Sequence, residues 1–465
     1  MNTKKDEKKS SFWGSLFILL LIIIVFGICI IKYKFEAHVP IAMSIGLLIV
    51  YGLFILNVKW EDMSQAMIKC IEPSLECMLI ILMIGALIGT WIAAGIVPYM
   101  IALGLKVMSA KNFLVSALCI CTIMSMCTGS SWTTMGTIGV AFMGVGIGLG
   151  LESSLCAGAI ICGAYMGDTL SPLSDQTNFS SSIAGVDLYR HIKSMLYTTL
   201  PVFVMCLLIF YILGRQTSAS GDMSQVLNII ESLEHNFYFS PVLLVPLVLI
   251  MIMILLKVPA FPTLLFSSCI GIIFSMIFQG YSFVEAGTYW YSGFVGNTGN
   301  TMIDSLLTRG GITSMWYTLA LMMLSLAFAG LLQRCGIIKN LVNILNRFIK
   351  GITSLVIVQL VTGYILSFIA SDPYLAMLLP SNVFEEKYEE LGYDKTVLSR
   401  NLENGATVVA PMVPWGSNGV YCATALGIST ARYLPYYFMG SLTPVICIIY
   451  CLTGIGMFKK KEKRK

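Results

Sequence analysis

Eight apolar runs, each about the length of a membrane-spanning helix, dominate the chain: residues 12–31, 39–56, 74–94, 192–214, 241–256, 261–278, 314–332 and 435–456. Backbone N–H and C=O groups in hydrocarbon must be satisfied internally, so runs of this kind form helices. At about 20 residues per span plus connections, the 465 residues have room for roughly ten to twelve membrane-embedded helices. Charge is correspondingly scarce. Only 11% of residues are charged and 57% are hydrophobic, against about 25% charged in a soluble domain. Much of that charge lies at the ends, in Lys4, Lys5, Lys8 and Lys9 and in the final KKKEKRK. A soluble enzyme, a disordered chain and a coiled coil are excluded. A nucleic-acid partner is excluded too, because the net charge of +5 comes from solvated tails.

Run 12–31 ends in KYKFEAHVP, which has no small-residue cleavage site, so it reads as an uncleaved first span rather than a signal peptide. The 14 cysteines have no metal-type spacing and mostly sit inside apolar runs, as small packing residues.

Two regions differ from the rest. Residues 111–186 and 350–429 are rich in Gly, Ser, Thr, Pro and Asn. The first contains TGSSWTTMG (128–136) and GDTLSPLSDQTN (167–178); the second contains ASDPYLAMLLPSN (370–382) and APMVPWGSNG (410–419). Their landmarks keep a nearly constant offset. Gly89, Gly95 and Ser130 match Gly330, Gly336 and Ser371 at 241, Pro172 and Gly185 match Pro414 and Gly427 at 242, and Pro201 matches Pro444 at 243. Six matches in register argue for an internal repeat.

The expected fold is therefore an all-α polytopic membrane protein with two inverted-topology repeats. Each has about five crossings plus a re-entrant helical hairpin and a broken helix. The divisions are a basic cytoplasmic tail (1–11), a first repeat (12–213), an extracellular loop (214–238), a second repeat (239–456) and a basic cytoplasmic tail (457–465). With both termini inside, only seven of the 29 Lys and Arg residues fall outside: Lys32, Lys34, Lys106, Lys111, Arg215, Arg309 and Arg432. That bias fits the positive-inside rule.

Non-helical backbone at membrane depth is tolerated only where it is buried in protein or lines a wet cavity. Hairpin tips at 128–131 and 370–373 and breaks at 168–178 and 410–418 therefore mark a candidate ion or substrate site. Asp168, Asp175, Asp372 and Glu403 lie within or beside these interruptions. A carboxylate at the midplane costs about 2.5–3.5 kcal/mol on insertion scales. With no Lys or Arg expected at that depth, each either holds a proton or binds a cation. Ser130, Ser131, Thr134, Ser174, Thr177, Asn178, Ser417 and Asn418 supply the oxygen ligands a hard monovalent cation prefers, although any one hydroxyl can equally be a helix cap at a break. Glu72 and Glu76 are weaker candidates, and Asp187 reads as the cap of the helix that follows it.

Histidines occur only at 38, 191 and 235, all in expected loops, which leaves no HExxH zinc pair and no buried Ser–His dyad. No phosphate-binding glycine loop precedes a Lys. Enzyme chemistry, ATP drive and any cofactor are not expected. A channel would suit oxygen-lined breaks, but an internal inverted repeat points instead to alternating access.

The stretches GSSWTTMGTIGVAFMGVG, GAIICGAYMGDTLSPLSDQTN and AGVDLYRHI resemble the NhaC family of bacterial sodium/proton antiporters. In the second half SDPYLAMLLP, LSRNLENGATVVAPMVPWGSNGVYCATALG and YLPYYF extend the resemblance, which covers roughly residues 70–456. It implies membership of the ion-transporter superfamily, location in the bacterial plasma membrane and exchange of Na⁺ against H⁺. Some similar proteins exchange carboxylates such as malate and lactate, or serve amino-acid uptake. The expected partners are thus Na⁺, H⁺, the lipid bilayer and, on the alternative reading, a small organic solute, with a homodimer left open.

The resulting site has Asp168 and Asp175 with Asn178 and nearby hydroxyls on Na⁺, while Glu403 and Asp372 complete the site or carry the proton. Asp168→Asn or Asp175→Asn is expected to abolish Na⁺-dependent proton flux in proteoliposomes while leaving membrane insertion intact. Wild-type exchange by both variants would refute the assignment.

Overall fold

All eight apolar runs are helical in the computed structural model, which describes residues 10–216, 223–256, 258–300, 303–304 and 307–459. The basic runs at 1–9 and 460–465 and Lys257, which the charge argument used, lie outside the described residues. Among the described residues there is no strand, only two isolated bridges. Seven helices there are long and apolar enough to cross a bilayer, or ten if each of three bent pairs counts as one span. The chain is a multi-pass membrane protein. Its first helix, Phe12–Gly27, leaves Trp13, Phe17, Ile23 and Ile24 exposed, as a lipid-facing surface requires.

The order of elements repeats. Leu75–Ala93 turns through Gly95 (φ +80°) into Ile96–Val107, and Trp316–Arg334 turns through Gly336 (φ +73°) into Ile337–Asn346. A hairpin follows in each half. Ala110–Thr128 and the helical stretch 131–148 meet at Gly129, and Ile352–Ala370 and Pro373–Glu390 meet at Ser371. Then come the broken helices, Ser153–Asp168 with Asp175–Ile183 and Lys395–Ala406 with Ser417–Leu426. Gly185 and Gly427, both left-handed, lead into the last spans.

The tips revise one match. Gly129 (φ 68°) and Ser371 (φ 60°) are the left-handed residues, followed by the N-caps Ser130 and Asp372. The offset there is therefore 242 rather than 241, and Ser130 pairs with Asp372 instead of Ser371. The sequence comparison matched two serines, whereas the geometry matches the residue that must adopt positive φ.

The two halves interlock through the matched glycines Gly89 and Gly330. A Cβ on Gly89 would strike the carbonyl of Tyr289, in the second half's helix Phe283–Ser292, and one on Gly330 would meet the Ala66 carbonyl, in the first half's amphipathic helix Trp60–Ile71. Each half's third span thus admits a helix of the other half at backbone contact.

Segment 214–238, expected to be a loop, instead continues the preceding helix to Gln216 and carries Met223–Asn236, whose Ile229, Ile230 and Leu233 are buried. The apolar residues of that segment are spaced for one helix face, which was hidden by its surrounding polar residues.

The first hairpin and first broken helix also pack at backbone distance. A Cβ on Gly163 would collide with the Leu118 carbonyl, and one on Gly167 with the Thr122 carbonyl, so Gly-x-x-x-Gly holds Ser153–Asp168 against Ala110–Thr128. Gly167→Val should lower stability by about 1–3 kcal/mol or more, seen as a reduced thermal midpoint in detergent. Gly27→Ala, where nothing lies within 4 Å, should leave the midpoint unchanged or slightly raised. Equal midpoints for the two variants would contradict this packing.

Candidate functional site

Each helix break interrupts the helical pairing of amides and carbonyls, and in each half the hairpin tip bonds to the broken helix, through a side chain in the first half and through the backbone in the second. In the first half Ser131 donates to Asp168 Oδ2 from both its backbone N–H (3.2 Å) and its hydroxyl (2.7 Å). In the second half the Ser417 N–H donates to the Ser371 carbonyl (3.1 Å). Asp168 is buried at the end of its helix, and Ser174 caps the helix that resumes beyond the break.

These parts line an open cavity of about 620 Å³. Of the residues expected at the site, Ser130, Ser131, Asp168, Ser174, Asp175, Asp372, Ser417 and Asn418 line it. Glu76 does as well, beside Asp175, so the weaker sequence candidate shares the same space. Three lining residues are helix caps, the other role that sequence allowed them. Ser130 accepts from the Thr133 N–H (3.1 Å), Ser174 from the Thr177 N–H (3.3 Å) and Asp372 from the Leu375 N–H (3.0 Å).

Four expected residues do not line the cavity. Thr134 donates to the Ser130 carbonyl within its own helix (3.0 Å). The Asn178 amide donates to the carbonyls of Pro172 (2.9 Å) and Ser174 (2.7 Å), tying the break together from outside. Thr177 points instead to Glu403, donating to Oε1 (3.0 Å), with the Asp168 main-chain carbonyl also in reach (3.3 Å). Glu403 itself is fully buried behind the break.

Asn418 lines the cavity, but its side-chain carbonyl is committed. It accepts from Trp132 Nε1 (2.8 Å) and the Tyr165 hydroxyl (2.6 Å), which uses both lone pairs. Trp132 also stacks on Tyr421, with centroids 4.3 Å apart and planes within 4°. The first hairpin tip is thereby fastened to the second broken helix.

Two sequence expectations are corrected. His191 was placed in a loop, but the helix begins at Leu188, with the Arg190 N–H on Asp187 as the sequence reading of that cap anticipated. His191 is wholly buried, its Nε2 lies 2.7 Å from Glu403 Oε2 and its Nδ1 lies 2.9 Å from Ser399 Oγ. A buried Ser–His contact therefore exists, to Ser180 (3.1 Å), although that hydroxyl is also aimed at Glu403 (2.7 Å) and lies off the cavity. The signal was available: His191, Ser194, Met195, Thr198 and Val202 form one buried helical stripe. Arg400, expected on the cytoplasmic surface, is buried one turn from Glu403 and donates to the Gly456 carbonyl (3.0 Å).

Comparison with known proteins identifies the chain's relatives. The profile of the Na⁺/H⁺ antiporter family matches residues 163–455. The chain is 36% identical over 459 residues to Na⁺/H⁺ antiporter NhaC of Alkalihalophilus pseudofirmus, covering 98% of each chain. It is 34% identical to the malate-2H⁺/Na⁺-lactate antiporter of Bacillus subtilis over 95% of each chain. It is 31% identical to the arginine/ornithine antiporter ArcD of Halobacterium salinarum, over 98% of this chain and 94% of that one.

Asn418→Ala would strand the Trp132 and Tyr165 donors, at about 1–3 kcal/mol for each buried group left unpaired, whereas Asn418→Asp keeps an acceptor for both. Thermal midpoints of the purified variants should fall markedly for Ala and little for Asp. If Asn418→Ala is as stable as wild type, Asn418 is not the fastening described.

Proposed function

Because the chain belongs to the Na⁺/H⁺ antiporter family, in its NhaC branch, we propose that it exchanges Na⁺ against H⁺ across the bacterial plasma membrane by alternating access. The observation that carries this reading is Asp168, a buried carboxylate at a helix break, held by the hairpin-tip serine and opening on the cavity. A carboxylate there needs positive charge close by, either a cation bound to it or a proton held among the acids linked to it, which makes the two ions alternatives. On this reading Na⁺ binds among Asp168, Ser131, Ser130 and Ser174, with the exposed Asp175 and the buried Asp372 adding negative charge to the cavity lining. Asp168 then has Na⁺ as its charge partner in one leg of the cycle. Occupancy permits the switch between inward- and outward-facing states, and a charged empty site opposes it.

The arrangement proposed is two inverted repeats, 12–213 and 239–456, with both termini cytoplasmic. The matching element order and the reciprocal docking of Gly89 and Gly330 support it.

One observation favours a second reading. A cavity of about 620 Å³ with Trp132, Tyr374, Ile80 and Met322 in its lining has the size and character of a small-organic-molecule pocket. Two relatives are named for organic cargo, malate with lactate and arginine with ornithine. A carboxylate or amino acid exchanged together with Na⁺ or H⁺ would use the same space.

Proteoliposomes with a trapped pH dye separate the readings. Na⁺ alone should move protons with saturating dependence, and Asp168→Asn should reduce that rate at least about 100-fold, the scale of losing a coordinating group used in every cycle. If protons move only after malate, lactate or arginine is added, the solute exchanger is the function.

A further inference from the structure

Behind the break, Glu403, His191, Thr177, Ser180 and Ser399 form one fully buried network. It spans the two halves, since Thr177, Ser180 and His191 belong to the first and Ser399 and Glu403 to the second. We propose that this pair, Glu403 with His191, is the binding site of the transported proton, separate from the cation site at Asp168. The Thr177 hydroxyl couples the two. The proposal rests on the Na⁺/H⁺ reading above and deepens it.

The argument is a count of hydrogens. Thr177 has one hydroxyl hydrogen and two acceptors in reach, Glu403 Oε1 at 3.0 Å and the Asp168 main-chain carbonyl at 3.3 Å. That carbonyl already accepts from the Ser171 N–H (3.0 Å). With Glu403 ionised, Thr177 gives its hydrogen to Oε1, and one lone pair of the Asp168 carbonyl is free for a cation. When a proton enters on Glu403 Oε1, that O–H donates to Thr177, and Thr177 turns its own hydrogen onto the Asp168 carbonyl. A bound proton thus withdraws an oxygen from Na⁺, with no contact between the two ions.

Charge acts in the same direction. His191 stabilises Glu403 by giving its Nε2 hydrogen to Oε2 at 2.7 Å, while its bare Nδ1 accepts the Ser399 hydroxyl hydrogen at 2.9 Å. A buried pair that has lost a proton carries net negative charge, which a cation at Asp168 offsets and a proton replaces. Among the groups on the packed elements, Asp168 ends the first broken helix, Arg400 lies one turn away, Tyr364 and Tyr388 are on the second hairpin, and Cys447 and Cys451 are on the last span. Arg400 supplies a fixed positive charge. Arg190, on the helix of His191, faces outward and pairs with Asp394 (3.0 Å), and Lys193 is exposed.

The test is ²²Na⁺ binding to the purified full-length protein across a pH series, with Na⁺-driven proton movement measured on the same preparations in proteoliposomes. Wild type should lose affinity by up to about tenfold per pH unit of acidification, the limit for one proton opposing one ion. Glu403→Gln, whose amide donates permanently to Thr177, should show the weakened low-pH affinity at every pH, varying less than about twofold, and should not move protons. Thr177→Val should flatten the pH dependence as well, and Thr177→Ser should restore it. That pair of variants decides the matter should Glu403→Gln fail to fold. A wild-type pH slope in Glu403→Gln or Thr177→Val overturns the proposal and leaves Asp168 as the proton site. Na⁺ that drives no protons in wild type overturns the antiporter reading itself, and this proposal with it.

Discussion

A helix that stops inside a bilayer exposes amides and carbonyls that lipid cannot solvate, and this chain contains two such stops. A hairpin tip from the same half is placed against each, bonded through a side chain in the first half and through the backbone in the second. Ser131 reaches Asp168 in one half and Ser417 reaches the Ser371 carbonyl in the other. The tips can approach only because Gly129 and Ser371 take left-handed conformations. The glycines at 163 and 167 bring the hairpin arm to backbone contact with the broken helix. Much of the surrounding packing serves to hold four chain interruptions around the cavity that Asp168 lines.

The two halves repeat in backbone but not in chemistry. At an offset of 242 Asp168 corresponds to Ala410, Glu403 to Ile161 and Asp372 to Ser130. The first half supplies Asp168, Asp175 and Glu76 to the cavity and the second supplies Asp372, while the acid buried behind the break, Glu403, belongs to the second half. Thr177 lies within reach of Glu403 and of the Asp168 carbonyl. On the proposed antiporter reading, a repeated scaffold with asymmetric acids would let each ion be read by its own group while the halves rock between equivalent states.

Most of the fold was legible from the sequence, because it depends on properties that survive without three-dimensional information. Apolar run length gave the spans, and clustered Gly, Pro and Ser gave the interruptions. The repeat followed from glycines whose positive φ or close approach permits little else. Side-chain direction at the site was less legible. Thr177 and Asn178 are adjacent in sequence, yet one turns to Glu403 and the other wraps the break. Short helices of nine residues such as Asp175–Ile183 have too few turns for periodicity to identify the inward face. His191 and Arg400 were misplaced for a different reason. Both were read as polar boundaries of apolar segments, whereas tertiary contacts bury them, His191 against Ser399 and Glu403 of the other half and Arg400 against Gly456 of its own. His191 could have been recovered from its helical stripe; Arg400 is explained by the Gly456 carbonyl, 56 residues away.

The central claim is that Na⁺ and H⁺ are exclusive occupants of one linked set of acids. It is tested most directly by counting protons as Na⁺ binds. Purified protein in weakly buffered detergent solution would be mixed with Na⁺, with released protons and bound Na⁺ both measured. Linkage requires a binding equilibrium that proton loss favours to release protons in turn. The account predicts about one proton or more released for each Na⁺ bound, falling toward zero at alkaline pH where the acids are already empty. Saturable Na⁺ binding with no proton release at any pH would contradict it.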